Sequence, residues 1–143
     1  VVESSTQTAV SEGFSQTRFV DTNLSCNITP SSTSSKIFVT GYLCYYIDQS
    51  NNGNMEVNFA VCDGSDNILD TTDNSQQGYR NNELYTFGGR HPINFLHSPN
   101  TTSQFTYKIR MNARNTGHSA NLVAQRNGSA NNRSRMILME VAG

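Results

Sequence analysis

The chain has 143 residues, 35% hydrophobic and 15% charged, with Ser, Thr and Asn making up about a third and a formal net charge of −1. Polar but nearly uncharged side chains of this kind compete with helical backbone bonds and suit turns and exposed strand faces, so the composition argues against a helical fold. There is no concentrated basic surface to make nucleic acid a partner, and no run approaches the ~20 apolar residues of a membrane-spanning helix, so membrane insertion is not expected.

Period-two alternation outweighs the helical i, i+3, i+4 pattern along the chain. Residues 1–20 read either as an N-terminal strand or as the connection from a preceding segment, with short strands at Thr6 to Val10 and Thr17 to Val20 broken at Glu12-Gly13. The start lacks the basic and long apolar regions of a signal peptide. It also lacks an initiator Met, which fits a trimmed product or one part of a longer protein. Leu24, Cys26 and Ile28 share one face of the first clear strand, which Pro30 ends. After the polar run PSSTSS, Lys36 to Ile47 puts Ile37, Val39, Gly41, Leu43, Tyr45 and Ile47 on one face and Phe38, Thr40, Tyr42, Cys44 and Tyr46 on the other. A strand that is apolar on both faces asks for something to cover each of them.

Farther along, Met55, Val57, Phe59 and Val61 alternate with Glu56, Asn58, Ala60 and Cys62, which predicts a strand with one wet face. DGSDN then turns the chain into a short strand from Asn67 to Asp70. Thr71 to Arg90 is polar and carries Gly78, Gly88 and Gly89, so it is predicted to be a long loop. Ile93 and Phe95 mark a strand, SPNTTS a turn, and Phe105, Tyr107, Ile109 and Met111 alternate again. Leu122-Val123 is a short strand, and RMILMEV is the closing one. Nine or ten short strands, no helix, no linker and no repeat define one all-β domain over 1–143, an antiparallel β-sandwich or jelly roll.

ITPSSTSSKIFVTG, NFLHSPNTTSQFTYKIRM and the closing RMILMEV together resemble a domain found at the C-termini of bacteriophage tail-fibre and other virion proteins, especially of cyanobacterial and marine phages. The similarity runs from about Thr6 to Val141, and the I-T-P-S-S-x-S-S-K segment is its most specific part. The resemblance implies a trimeric jelly roll of the C1q and tumour-necrosis-factor type, a homotrimeric knob on a virion assembled in the host cytoplasm. Its partners would be its own copies, other virion proteins and a host-surface glycan or protein. One departure is His97, where the family more often carries an acidic residue. In a threefold knob the outer row of the opening strand, Phe38, Tyr42, Cys44 and Tyr46, becomes the expected trimer interface; the alternative is a central strand in a two-sided monomeric core.

Little in the sequence supports catalysis. G-x-S-x-G, H-E-x-x-H, a P-loop and a dinucleotide turn are all absent, so no enzyme and no cofactor are expected. Glu56, Glu83 and Glu140 are the carboxylates a polysaccharide depolymerase would have to use. His91 and His97 share a strand face without an evident third ligand, and Asp63, Asp66, Asp70 and Asp73 lack the order of a calcium loop, so no metal site is expected. Cys26, Cys44 and Cys62 sit in apolar runs and read as buried free thiols of a reducing compartment. Arg126, Arg133 and Arg135 read as arginines of turns and a strand rim. GYRNNELYTFGGRH is the strongest recognition candidate. It offers Tyr79, Arg80, Tyr85, Arg90 and His91 as a receptor-contact loop combining aromatic and adaptable polar groups; the other reading is a loop packed on a neighbouring subunit.

Overall fold

The computed structural model describes residues 2–6, 10–13, 19–49, 53–80, 85–115, 120–124 and 133–143. They form ten strands: β1 Val2–Thr6, β2 Val10–Gly13, β3 Val20–Ile28, β4 Lys36–Gln49, β5 Gly53–Asp63, β6 Ile68–Arg80, β7 Tyr85–His97, β8 Phe105–Asn115, β9 Ala120–Ala124 and β10 Ser134–Val141. One sheet has six strands in the order β1-β10-β4-β9-β2, with β7 on the other edge of β4; the second has four in the order β3-β8-β5-β6. All pairings are antiparallel.

The six-stranded sheet is simpler than its strand count. β10 pairs with β4 from Lys36 to Tyr42 and β9 pairs with it from Tyr45 to Gln49, so the two lie end to end along one edge of β4. β1 and β2 follow them in the same way. With each collinear pair counted as one interrupted strand, the first strand lies beside the last, the last beside the third and the third beside the sixth. Opposite them lie the second, seventh, fourth and fifth. That order is a jelly roll.

Alternation explains which residues close the sandwich. β3 buries Val20, Thr22, Leu24, Cys26 and Ile28 and exposes every residue between. From the facing sheet Ile37, Val39, Leu43, Met136 and Leu138 meet them at 0% exposure. Each such aliphatic side chain contributes about 1.5–3 kcal/mol by leaving water. Thr22 is the polar member of this row. At the bulge between Asp21 and Leu24 its hydroxyl donates to the Ile109 carbonyl at 2.6 Å. Asn23 takes the left-handed conformation there, φ 57, and its N–H donates to the Asp21 carboxylate at 2.8 Å; Asn tolerates that conformation better than most residues.

Several expectations are corrected. Glu12 and Gly13 are the last two residues of β2 rather than a break before it ends, and of the strand expected at Thr17 to Val20 the first two residues lie outside the described residues while Val20 begins β3. β5 has no wet face along its second half: Asn58, Ala60 and Cys62 are 9%, 2% and 0% exposed. Ala60 and Cys62 lie across from Arg110 and Lys108, whose long stems cover such small neighbours. The largest change is at Thr71 to Arg90. This is not a long loop: β6 runs to Arg80 and β7 starts at Tyr85. Both are edge strands, in which uncharged polar residues and glycine carry the ladder without a strong apolar alternation.

Candidate functional site: the outer face of the six-stranded sheet

The register of β4 with its neighbours assembles the outer face row by row. Phe38 lies between Met139 and Leu96, Thr40 between Ile137 and Asn94, and Tyr42 between Arg135 and Pro92; Lys36 lies beside Val141. Leu96 and Val141 are 52% and 46% exposed, and Phe38, Tyr42, Ile137 and Met139 are half-buried. Polar groups mark the margins. The Arg90 guanidinium lies 5.0 Å from the centroid of the Tyr42 ring, a distance at which a cation is attracted to an aromatic face. Arg135 Nε donates to Glu3 Oε1 at 2.9 Å, and Thr40 Oγ1 donates to Asn94 Oδ1 at 2.9 Å.

Glycine makes this face possible where the sheet is tightest. Gly41 has φ +146, and a Cβ there would lie 2.1 Å from the Arg135 carbonyl oxygen. No side chain fits between β4 and β10 at that point. Gly88 holds a similar position between β7 and β4, where a Cβ would meet the Tyr45 carbonyl oxygen at 2.4 Å.

Of the four residues expected on the interface, Phe38, Tyr42 and Tyr46 are half-buried. Cys44 is corrected: its own chain buries it to 5% exposure. It sits where β4 leaves β10 and meets β9, and Ser134, buried and 90 positions away, replaces the missing ladder partner. The Ser134 hydroxyl accepts the Cys44 N–H at 2.8 Å, while the thiol donates to the Arg133 carbonyl at 3.4 Å. All three cysteines are buried and outside any disulfide; burial pushes the Cys26 and Cys62 thiols up from their ordinary pKa.

Of the five residues of the expected receptor loop, only Arg90 and His91 have described side chains. Tyr79 and Arg80 end β6 and Tyr85 begins β7, their side chains lying outside the described residues. Arg90 and His91, being adjacent on β7, point to opposite faces. Arg90 reaches Tyr42 outside; His91 turns inward and stacks on Phe59, ring centroids 3.9 Å apart and planes 14° apart. Burial lowers the His91 pKa.

His97 is separated from His91 by about 20 Å of strand and has contacts of its own. Its Nδ1 is 2.9 Å from the Tyr107 hydroxyl, and its ring lies beside Phe95 and Phe105. Burial lowers the His97 pKa and raises that of Tyr107. Two histidines so placed cannot share an ion. Among the acids, Asp63 accepts the Ser65 and Asn67 amides at 2.8 and 2.9 Å and the Asn67 side chain at 2.7 Å, and these bonds hold its pKa below the usual value. Asp66 pairs with Lys108 and Arg110 at 3.0 and 3.5 Å. Among the described residues no three His, Cys, Asp or Glu come together as metal ligands. Asp73, Glu83, His118 and Arg126 lie outside the described residues or side chains.

Glu140 has a structural task that its sequence position did not announce. Its carboxylate accepts the Ser31 N–H and hydroxyl, each at 2.7 Å, and so fastens the β3–β4 turn to the end of β10. Hydrogen bonds from the Ser35 and Ser31 side chains, with the Ser31 amide, hold its pKa below the usual carboxylate value. Two of the segments that carry the sequence resemblance thus meet in one contact. Glu56 belongs to the other sheet, so these two carboxylates do not share a groove.

The fold defined by these strands is a two-sheet antiparallel jelly roll. No family model matches the chain, and no curated protein matches it. Solved structures similar to it include the VP2 subviral particle of infectious bursal disease virus, at 11% identity and a TM-score of 0.44 over 99% of this chain and 37% of that one. T=1 particles derived from the same virus align at 11% identity and 0.44, over 97% and 35%. The Gt strain of the virus aligns at 11% identity and 0.43, over 99% and 38%. The chain spans little more than a third of the length of those chains.

Proposed function

We propose that the chain is a virion structural protein that assembles as a homotrimer through the outer face of its six-stranded sheet, forming a tail-fibre knob that contacts the host surface. The observation that carries the assembly is the contiguous apolar row Phe38, Met139, Leu96, Ile137, Tyr42 and Val141, bordered by Arg90, Arg135 and Glu3. An apolar centre with a charged rim is the anatomy of a protein interface. A net charge of −1 sets little repulsion against self-association. The virion setting and the threefold symmetry come from the sequence resemblance.

Adhesion in this reading is multivalent: three weak contacts on one knob hold far better than one. The host-contact region narrows to the β6–β7 end, flanked by Tyr79, Arg80 and Tyr85, since Arg90 and His91 are committed to Tyr42 and Phe59. No catalysis is assigned. Light scattering at micromolar concentration tests the assembly, with three times the chain mass as the expected result and a stable monomer as the result that overturns it. Electron microscopy of labelled particles tests the place. Label at a fibre tip supports the knob, whereas label on the head surface makes the chain a capsid decoration trimer. Release of reducing sugar from host envelope would overturn the non-enzymatic reading.

A further inference from the structure

Where the edge strands β6 and β7 face each other across the sandwich, the two sheets do not close, and a cleft of about 230 Å³ opens between them. Its floor is apolar: Phe59, Val61, Ile93 and Ile109, all buried core residues. His91 forms part of the wall, stacked on Phe59. Asp70 also lines the cleft, and its place follows from register. It lies across from the core residue Val61, beside the β5–β6 bulge, and cross-strand partners share a face, so Asp70 points into the sandwich.

Asp70 is half-buried, yet among the described residues its carboxylate has no hydrogen-bond or ion-pair partner. The contrast with other acids is direct: Asp63, Asp66, Glu3 and Glu140 are all engaged. The described lining contains no cationic side chain. Lys108 and Arg110 are held by Asp66, and Arg90 lies over Tyr42. A carboxylate at the mouth of an apolar cleft is open to a cation from solution. His91 does not supply that cation, because burial favours its neutral form.

We propose that this cleft binds a small organic amine, with Asp70 as the counter-ion of its ammonium group and the Phe59–His91 stack and Ile93 as the wall for its carbon body. The volume is below the roughly 300–1,000 Å³ of drug-sized pockets, so the body is about the size of a six-carbon chain or one sugar ring. Ammonium groups are also attracted to aromatic faces, which adds to the preference for a cation. The site lies in the seam of a single chain, with Pro92 and Asn94 joining its rim to the outer face.

The test is titration of the full chain with hexylamine, glucosamine and 1-hexanol, followed by calorimetry and by the methyl resonances of Ile93 and Ile109. An amine is expected to shift those methyls and to bind at least about tenfold tighter than hexanol, the scale of one charge-assisted hydrogen bond. The tighter of the two amines shows whether the body is alkyl or sugar. Asp70→Asn should abolish the preference over hexanol. Its melting temperature should hold or rise, and its mass by light scattering should not change, which separates loss of the site from loss of assembly. Equal binding of hexylamine and hexanol, an unchanged preference in Asp70→Asn, or no methyl shift with either amine overturns the proposal; the methyl readout in the wild type requires no variant.

Discussion

Glu140 and His97 contribute to the pH dependence of this fold in two different windows. The Glu140 pKa is depressed in the folded state, so its contribution is present above the unfolded carboxylate pKa of about 4.3 and is lost as pH falls through the lower folded value. Glu140→Gln keeps an acceptor and removes the charge. It should melt below the wild type at pH 7, with the gap closing on acidification below about pH 4. His97 works over a different window. Burial lowers its pKa, so the unfolded chain takes up the proton first. The contribution of neutral His97 is present above an unfolded value of about 6.5 and is lost as pH falls toward the folded value. A scan of melting temperature should therefore fall below about pH 6.5, and His97→Gln should reduce that slope, with buried His91 carrying the rest, while leaving the acid limb to which Glu140 and Asp63 contribute.

At the scale of the strand, Gly41 decides whether β10 can lie on β4. A Cβ at 2.1 Å from the Arg135 carbonyl, added to a positive φ, allows no small adjustment. Gly41→Ala should cost roughly 2–4 kcal/mol in denaturant unfolding, whereas Gly64→Ala, whose Cβ would meet only the Thr106 side chain at 3.2 Å, should cost far less. The sequence showed the strands with a strong apolar rhythm. Leu24, Cys26 and Ile28, the alternation from Phe105 to Met111, and the two-sided β4 were legible because core burial imposes period two. β6 and β7 were not legible along most of their length: as edge strands rich in Thr, Asn, Gln and Gly they carry the ladder without a full apolar row. The surfaces divide in the same way. The outer row of β4 could be read from one segment, but Cys44 left it through a hydroxyl 90 positions away. In the sequence Asp70 is one of four clustered aspartates with no calcium-loop order, because its inward direction depends on a bulge that spacing does not reveal.

At the scale of the whole molecule, the outer face is the surface through which the proposed knob would join its copies. Phe38, Leu96 and Met139 form one cross-strand row on it, and none belongs to the buried core. Phe38→Asp together with Leu96→Asp should reduce the mass by light scattering to that of one chain while preserving a cooperative melt, because the charges meet water in the monomer and would meet apolar surface in the proposed trimer. The same pair placed inside, at Ile37 and Leu138, should abolish folding altogether. Comparing the two pairs distinguishes a surface that joins copies from one that merely completes a core.

The position of β10 also governs the order in which this chain can mature. It supplies β4 with one edge and β1 with its only described edge, through pairs such as Val2 with Leu138, and Glu140 reaches back 109 positions to Ser31. Until β10 has been synthesised, β1 lacks its described partner and the two-sided β4 is open from Lys36 to Tyr42 along that edge. Folding therefore has to close long loops late, which makes it slow for a domain of this size. The face that would meet other copies is completed by Ile137, Met139 and Val141, so it does not exist before that step. In the proposed assembly, association is thereby deferred until each chain has its own fold, and incomplete chains on one message would have no finished surface with which to capture one another.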